Sequence, residues 1–202
     1  MRRMLQRSKE WHDARRGIIT ASRLADVIAS RGSKRRQLYL NELTAAIQGA
    51  PSFDDEEVPP WFQHGVEWED EARGAYEFEM DTEVEEVGLI INDEYTFVGC
   101  SPDGLVGKDG GIEIKCSKSI KQFLKAQSRG LPSQYKAQVQ GCLWITGRDW
   151  WDFVAYFKTS GGDMRKSRMA IHRVERDEPY IERLTESCLE FWKEAGGAYE
   201  HD

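Results

Sequence analysis

Three charged residues with apolar neighbours stand out in the stretch SPDGLVGKDGGIEIKCSKS, residues 101–119. Asp103 follows a proline just after the core-like run Phe97-Val98-Gly99-Cys100, and Glu113 and Lys115 are separated by Ile114 alone. Side chains alternate along a strand, so Ile112, Ile114 and Cys116 share one face, and Glu113 and Lys115 the other. A reversal through Val106 to Gly110 brings Asp103 near Glu113. Two carboxylates with few local counter-charges repel, and a hard divalent cation bound through their oxygens relieves that. Lys115, on the side of Glu113, can orient a water and offset a developing anion. The other reading of the same alternation is an edge strand with a solvated face.

A third acid bears on the choice. In the helical stretch WFQHGVEWEDEARGAYEFEM, residues Phe62, Val66, Ala72, Tyr76 and Met80 fall within about 60° of Glu69. Glu69 therefore sits within an apolar stripe, where an unpaired carboxylate is costly. It either pairs with Arg73 one turn on or is aimed into a metal site. Glu67, Asp70, Glu71, Glu77 and Glu79 read as solvated.

These residues need elements to hold them. Ser8 can cap a helix to about Arg16, and Thr20 a second with Leu24, Val27 and Ile28 on one face. A third begins near Ser33 and carries Leu38, Leu40, Leu43 and Ile47. Gln48 to Pro60, rich in Pro and acids, reads as a solvated loop. After the helix bearing Glu69, TEVEEVGLIIND, YTFVGCSPDGLV and GGIEIKC read as a three-strand meander. Helices follow over Lys118–Arg129 and Ser133–Ile145, then a strand pair, WWDFVAYFK and SRMAIHRV, around SGGD, and a last helix from Glu178 to Ala195. The order predicts a mixed α/β (α+β) core, a central sheet flanked by helices. The chain reads as one domain over 1–202, with a helical N-terminal segment over 1–50, a core of about 60–160, and a C-terminal strand and helix over 165–196.

Composition narrows the class. Of 202 residues, 40% are hydrophobic and 31% charged, which argues against a disordered chain. No apolar run approaches the ~18 residues of a membrane span, and the basic N-terminus lacks a secretory core. The expectation is a cytoplasmic protein with reduced, mostly buried thiols at Cys100, Cys116, Cys142 and Cys188. Neither these nor His12, His64, His172 and His201 show zinc-ligand spacing. The net charge of −7 argues weakly against a nucleic-acid partner, but basic residues crowd the first 36 positions and acids residues 54–86. That segregation can set a basic groove beside an acidic metal site.

Pro102-Asp103 followed by Glu113-Ile114-Lys115 resembles the PD-(D/E)XK signature of metal-dependent nucleases. WHDARRGIITASRLADVI, HGVEWEDEARGAYEF, VGCSPDGLV…GGIEIKC and QYKAQVQGCLWITG, in that order over about residues 11–158, resemble the lambda-exonuclease-like, phage-recombination (YqaJ-type) branch of that superfamily. The resemblance implies a restriction-endonuclease-like core and a 5′→3′ exonuclease on linear double-stranded DNA. Such an enzyme leaves a 3′ overhang for a phage single-strand annealing protein. A homotrimer around DNA, a bacterial host cytoplasm and two Mg²⁺ ions, replaceable by Mn²⁺, are implied in the same way.

By the same resemblance, Asp103 is the principal metal ligand, with Glu113 and the Ile114 carbonyl completing the first ion's protein ligands. Glu69 holds the second ion, and Lys115 positions the water. Arg15, Thr20 and Ser22 fall at a pocket for the 5′-phosphate, where a guanidinium and hydroxyls near a helix N-terminus suit an anion. Arg16 is an alternative anchor, and helix capping alone is the other reading of Thr20 and Ser22. Gln138 and Gln140 point about 160° apart on a helix, so one of them faces the site squarely. The family pattern favours Gln140, with Lys136 on its face. Lys118 and Lys121 are either phosphate contacts or surface lysines. Trp144, Trp150 and Trp151 read as packing residues rather than base-stacking ones. Two further readings remain open: an endonuclease of the same superfamily, and a non-catalytic DNA-end-binding module.

Overall fold

A computed structural model describes residues 6–50, 60–117, 119–158 and 168–198; within 60–67 only the backbone is described. Helix α1 (Lys9–Arg15) begins where Ser8 accepts from the Trp11 N–H. Strand β1 (Ile19–Thr20), a 3₁₀ turn over Ala21–Arg23 and α2 (Leu24–Val27) follow. Helix α3 (Lys34–Ile47) is capped by Ser33, and α4 runs over Pro60–Met80. The short strands β2 (Val84–Glu85), β3 (Ile90–Ile91), β4 (Val98–Cys100) and β5 (Gly104–Val106) lead to β6 (Gly110–Ser117). Helices α5 (Ile120–Arg129) and α6 (Ser133–Thr146), strands β7 (Trp150–Phe157) and β8 (Arg168–Glu175), and α7 (Glu178–Glu194) complete the order.

The mixed α/β architecture is as expected, but the meander is not. The strands form two sheets, ordered β1-β4-β3 and β2-β5-β6-β7-β8. The stretch read as one strand through Cys100 and Val106 is broken at Ser101–Asp103, and its halves enter different sheets. Pro102 supplies the reason, since it has no N–H for a ladder. Thr20 is corrected too. Its side chain makes no cap bond; its backbone pairs alongside Gly99, and its hydroxyl lies 3.3 Å from that of Ser22. Met80 and Leu38 are exposed rather than packed. The loop 51–59, the turn SGGD, Lys118 and the side chains of Phe62, His64, Val66 and Glu67 lie outside the described residues.

Parallel strands require a crossover, and α5 with α6 supplies it between β6 and β7. The larger sheet is covered on both faces. Ala72 and Tyr76 of α4 pack on Val106, Ile112, Ile114, Val154 and Tyr156. Phe123 and Ala126 of α5 pack on Phe153 and Ala155 on the other face. Register between β6 and β7 sets Gly111 beside Trp151, and a Cβ at Gly111 would lie 2.5 Å from that buried indole. Glycine here is demanded by close approach. The same register sets Glu113 beside Phe153, on the side away from α4.

Candidate active site

Strand β6 lies between β5 and β7, so the side chain of Glu113 has little water around it and is only 2% exposed. An ionised carboxylate there needs partners. One oxygen accepts from Gln138 Nε2 at 2.6 Å and meets the Lys115 ammonium. Lys115 in turn lies over the Tyr135 ring, 5.4 Å from its centroid, and that ring stacks on Phe153. The solvated-face reading therefore fails for Glu113; Lys115, on the part of β6 that pairs with β7 alone, keeps its side chain 34% exposed.

Asp103 sits in the break between the two sheets. Its Oδ2 accepts from the Ile114 N–H at 2.6 Å, across the hairpin from Glu113. Burial, then the Glu113 and Glu69 carboxylates, push the Asp103 carboxyl well above its usual range, against the pull of Lys115. Burial disfavours the charge on Lys115, but Glu113 and Asp103 outweigh it and raise that pKa. Asp103 thus feels both Glu113 and Glu69, with the Lys115 ammonium offsetting them.

Glu69 comes from α4, its side chain 14% exposed. The ion-pair reading is the one observed: Glu69 pairs with Arg73 at 3.7 Å and with Arg7 at 2.7 Å, and its charge also acts on Asp103. Arg73 Nε also donates to the Asp103 carbonyl at 3.1 Å, tying α4 to the hairpin. Glu71 and Glu77 are not solvated as expected. Glu71 accepts from the Tyr156 hydroxyl and meets Lys158, and Glu77 accepts from the Val84 N–H at 2.8 Å.

The donor set of Glu69, Asp103, Glu113 and the Ile114 carbonyl is all oxygen, which suits Mg²⁺ or Mn²⁺ and not zinc. Among the described residues, no three acidic, His or Cys side chains converge as a ready cation cage. The acids are held instead by Arg7, Arg73, Lys115 and Gln138. The oxygen chemistry of these donors is what fits the set to a hard cation.

Beside the acids lies a cationic pocket. Arg15 Nη1 donates to Ser101 Oγ at 3.1 Å, and Trp11 Nε1 donates to the same oxygen at 2.9 Å. The Arg15 guanidinium stacks over the Trp11 ring at 4.1 Å. Arg15, Thr20, Ser22, Ser101 and Gln138 line a small cavity of about 30 Å³. Arg15, Thr20 and Ser22 also line a larger one of about 710 Å³, with Arg16 and Arg23. Arg16 donates to the Ala50 carbonyl instead of reaching Ser101.

The two glutamines separate cleanly. Gln138 joins the cationic pocket to Glu113. Gln140 is buried elsewhere: it donates to the Glu175 carbonyl at 2.8 Å and accepts from the Asp177 N–H at 2.9 Å. The expectation that Gln140 faces the site is corrected, and Lys136 goes with it, pairing with Asp177 at 2.9 Å. Helix twist shows that the two differ; only the α6–α7 packing decides which turns away. Trp151 is fully buried, Trp144 packs beside Tyr95, and Trp150 lies under Arg173 at 3.7 Å, so all three pack as expected. The four cysteines are free, three of them buried.

Sequence reasoning missed Arg7, Ser101 and Tyr135. Ser101 and Tyr135 lie inside the motifs themselves, beside Asp103 and Gln138, where their position is a signal. Arg7 lies in the basic N-terminal run without a local signal, because its partner is 62 residues away.

Comparison with known proteins places the fold and the family. The chain overlays the alkaline exonuclease LHK-Exo of Laribacter hongkongensis over 94% of its own length and 93% of that chain, with a TM-score of 0.81 and 36% identity. The complex of LHK-Exo with dAMP matches equally. A phage-related exonuclease from Haemophilus somnus 129PT shares the fold, with a TM-score of 0.66 and 18% identity over 88% of this chain and 93% of that one. The uncharacterized protein R354 of Acanthamoeba polyphaga mimivirus is 30% identical over 162 residues, 74% of this chain, which spans only 28% of that protein's length. Residues 10–149, which carry Arg15, Glu69, Asp103, Glu113, Lys115 and Gln138, match the model of the YqaJ-like viral recombinase domain, and the chain belongs to that family.

Proposed function

We propose that the protein is a metal-dependent exonuclease that degrades the 5′-ended strand of linear double-stranded DNA, leaving 3′ overhangs for phage recombination by strand annealing. The observation that carries the reading is the polar face of β6: buried Glu113 between Lys115 and Gln138, with Asp103 held across the hairpin at Ile114. The likeness to LHK-Exo, an exonuclease that has been seen with dAMP, supports a deoxynucleotide substrate.

Asp103, Glu113 and the Ile114 carbonyl would hold one Mg²⁺ or Mn²⁺ and Glu69 a second. The chemistry such a pair supplies is water activation and charge neutralisation at the phosphate. Lys115 keeps its proton and donates to the water or a phosphate oxygen, held in place by Glu113 and the Tyr135 ring. Gln138 fixes the rotamer of Glu113. Arg15, Thr20 and Ser22, with Ser101, receive the terminal phosphate beside the acids. The described elements are proposed to work as one nuclease domain, as a homotrimer, in the cytoplasm of a bacterial host. No described helix is long and apolar enough to cross a membrane.

The test uses linear duplex DNA labelled at the 5′ end of one strand and the 3′ end of the other, with Mg²⁺, and a closed circle and Lys115→Ala in parallel. Early loss of the 5′ label, a persistent 3′ label, an intact circle and an inert variant are expected. A cut circle would replace this reading with an endonuclease. Retained end binding without cleavage in Mg²⁺ or Mn²⁺ would leave a binding module.

A further inference from the structure

Between Glu113 and Asp149 the chain contains no aspartate or glutamate, although it holds 35 acids and a net charge of −7. Helix α5 lies in this span, directly after the strand that carries Glu113 and Lys115, and Ser119 caps it. Phe123 and Ala126 turn inward against β7. Lys121, Lys125 and Arg129 are all exposed. At 100° per residue the three fall within about 80° of one another, so they form one row along the helix. Among the described residues none of the three meets a carboxylate, whereas Arg23, Arg36, Arg73, Lys136, Lys158 and Arg176 each do. The row spans roughly 12 Å of helix, a length over which duplex DNA carries about seven phosphates.

We propose that this row is a binding surface for the phosphate backbone of nucleic acid, outside the site that cuts it. The inference rests on the exonuclease reading and names a second place where the substrate is held. Its occupant is a polyanion by charge complementarity: three exposed cations with no acid in the surrounding sequence, on a protein whose acids elsewhere would repel DNA. Phosphate contacts of this kind position a duplex without reading its sequence. Exposed lysines are ordinarily just solvated, so the test must separate a phosphate contact from generalised charge.

The experiment measures binding of a fluorescent blunt 30-base-pair duplex by anisotropy across a salt series, in Ca²⁺ to prevent cutting. The variant Lys121→Gln/Lys125→Gln/Arg129→Gln is set against a control of equal charge, Lys34→Gln/Lys108→Gln/Lys193→Gln, all exposed positions. The slope of log K against log salt is expected to flatten by about 2 to 3 for the α5 variant, near 0.9 for each phosphate no longer neutralised, and to stay at the wild-type value for the control. Lys125→Gln alone should flatten it by about 0.9, which keeps the test open if the triple variant folds poorly. Equal slopes for the α5 variant and the control overturn the proposal. So does an unchanged slope with an altered sedimentation mass, which would make α5 an interface between copies of the chain. Mg²⁺-dependent digestion by the wild type is assayed alongside. If it fails, the exonuclease reading fails; if it proceeds while the slopes agree, only the α5 surface does.

Discussion

Arg7 Nη2 lies 2.7 Å from Glu69 Oε2, so a cation from the N-terminal segment already pairs with the α4 acid proposed as a metal ligand. Arg7 reaches it with a backbone φ of 68°, a left-handed conformation that a side-chain-bearing residue adopts at some cost. A cation arriving at Glu69 must compete with that guanidinium. Arg7→Gln is therefore expected to tighten Mg²⁺ binding to the DNA-free protein severalfold, on the order of 1 kcal/mol for a partly exposed pair. Titration calorimetry measures it, with Lys9→Gln as a control that breaks only the exposed pair to Asp13. Equal affinities for wild type and Arg7→Gln would show that the pair is incidental.

Asp103 carries the strain of the acid cluster. Asparagine keeps an acceptor for the Ile114 N–H but drops the repulsion from Glu113 and Glu69. Asp103→Asn should raise the metal-free melting temperature, by about 2–4 °C for each kcal/mol relieved in a chain of this size. It should also lose the rise in melting temperature that Mg²⁺ gives the wild type. A lower metal-free melting temperature than wild type would mean that the carboxylate is well satisfied as it stands.

The separation of Gln138 from Gln140 makes opposite demands on two otherwise similar variants. Gln138→Ala should lower kcat, by about tenfold to a hundredfold, with the melting temperature little changed, since Glu113 keeps Lys115. Gln140→Ala leaves a carbonyl and an N–H unpaired between α6 and α7, at a cost of about 2–3 kcal/mol, with activity per folded molecule retained. Reversal of the two phenotypes would place Gln140, not Gln138, at the chemistry.

Asp177 gives an acid-side prediction. The hydrogen bond from Lys136, with that from the Tyr180 N–H at the start of α7, holds its carboxyl below the usual 3.8. A folded pKa below the unfolded one contributes stability that is fully present above the unfolded value and is lost as pH falls through the folded one. Unfolding by urea between pH 5 and pH 2.5 should show wild type losing its advantage over Asp177→Asn below about pH 4. Parallel curves for the two proteins over that range would remove Asp177 from the acid response.

What the sequence could and could not reveal follows from the range of the forces. The serines that cap α1 and α3 act within three residues, and those helices begin where the caps predict. The alternation around Glu113 marks a polar face but does not show whether it faces water; only pairing to β7, across the crossover, buries Glu113. The split at Pro102 was readable in principle, because the missing N–H is local. The partners of Glu71, 85 and 87 residues away, were not. The acids of the motif are legible because their spacing is local. Arg7 at Glu69 and Gln140 at α7 depend on where distant elements come to rest.

The fit of Gly111 under Trp151 also constrains how this chain can drift. Any side chain at position 111 must first meet a smaller ring at 151, and a smaller ring alone leaves a void beneath the sheet. Each single step is penalised while the double step is open, so the two positions are expected to change together or not at all across descendants of this sequence. The glycine two residues before Glu113 is thus tied to a residue 40 positions away in the chain, on the neighbouring strand.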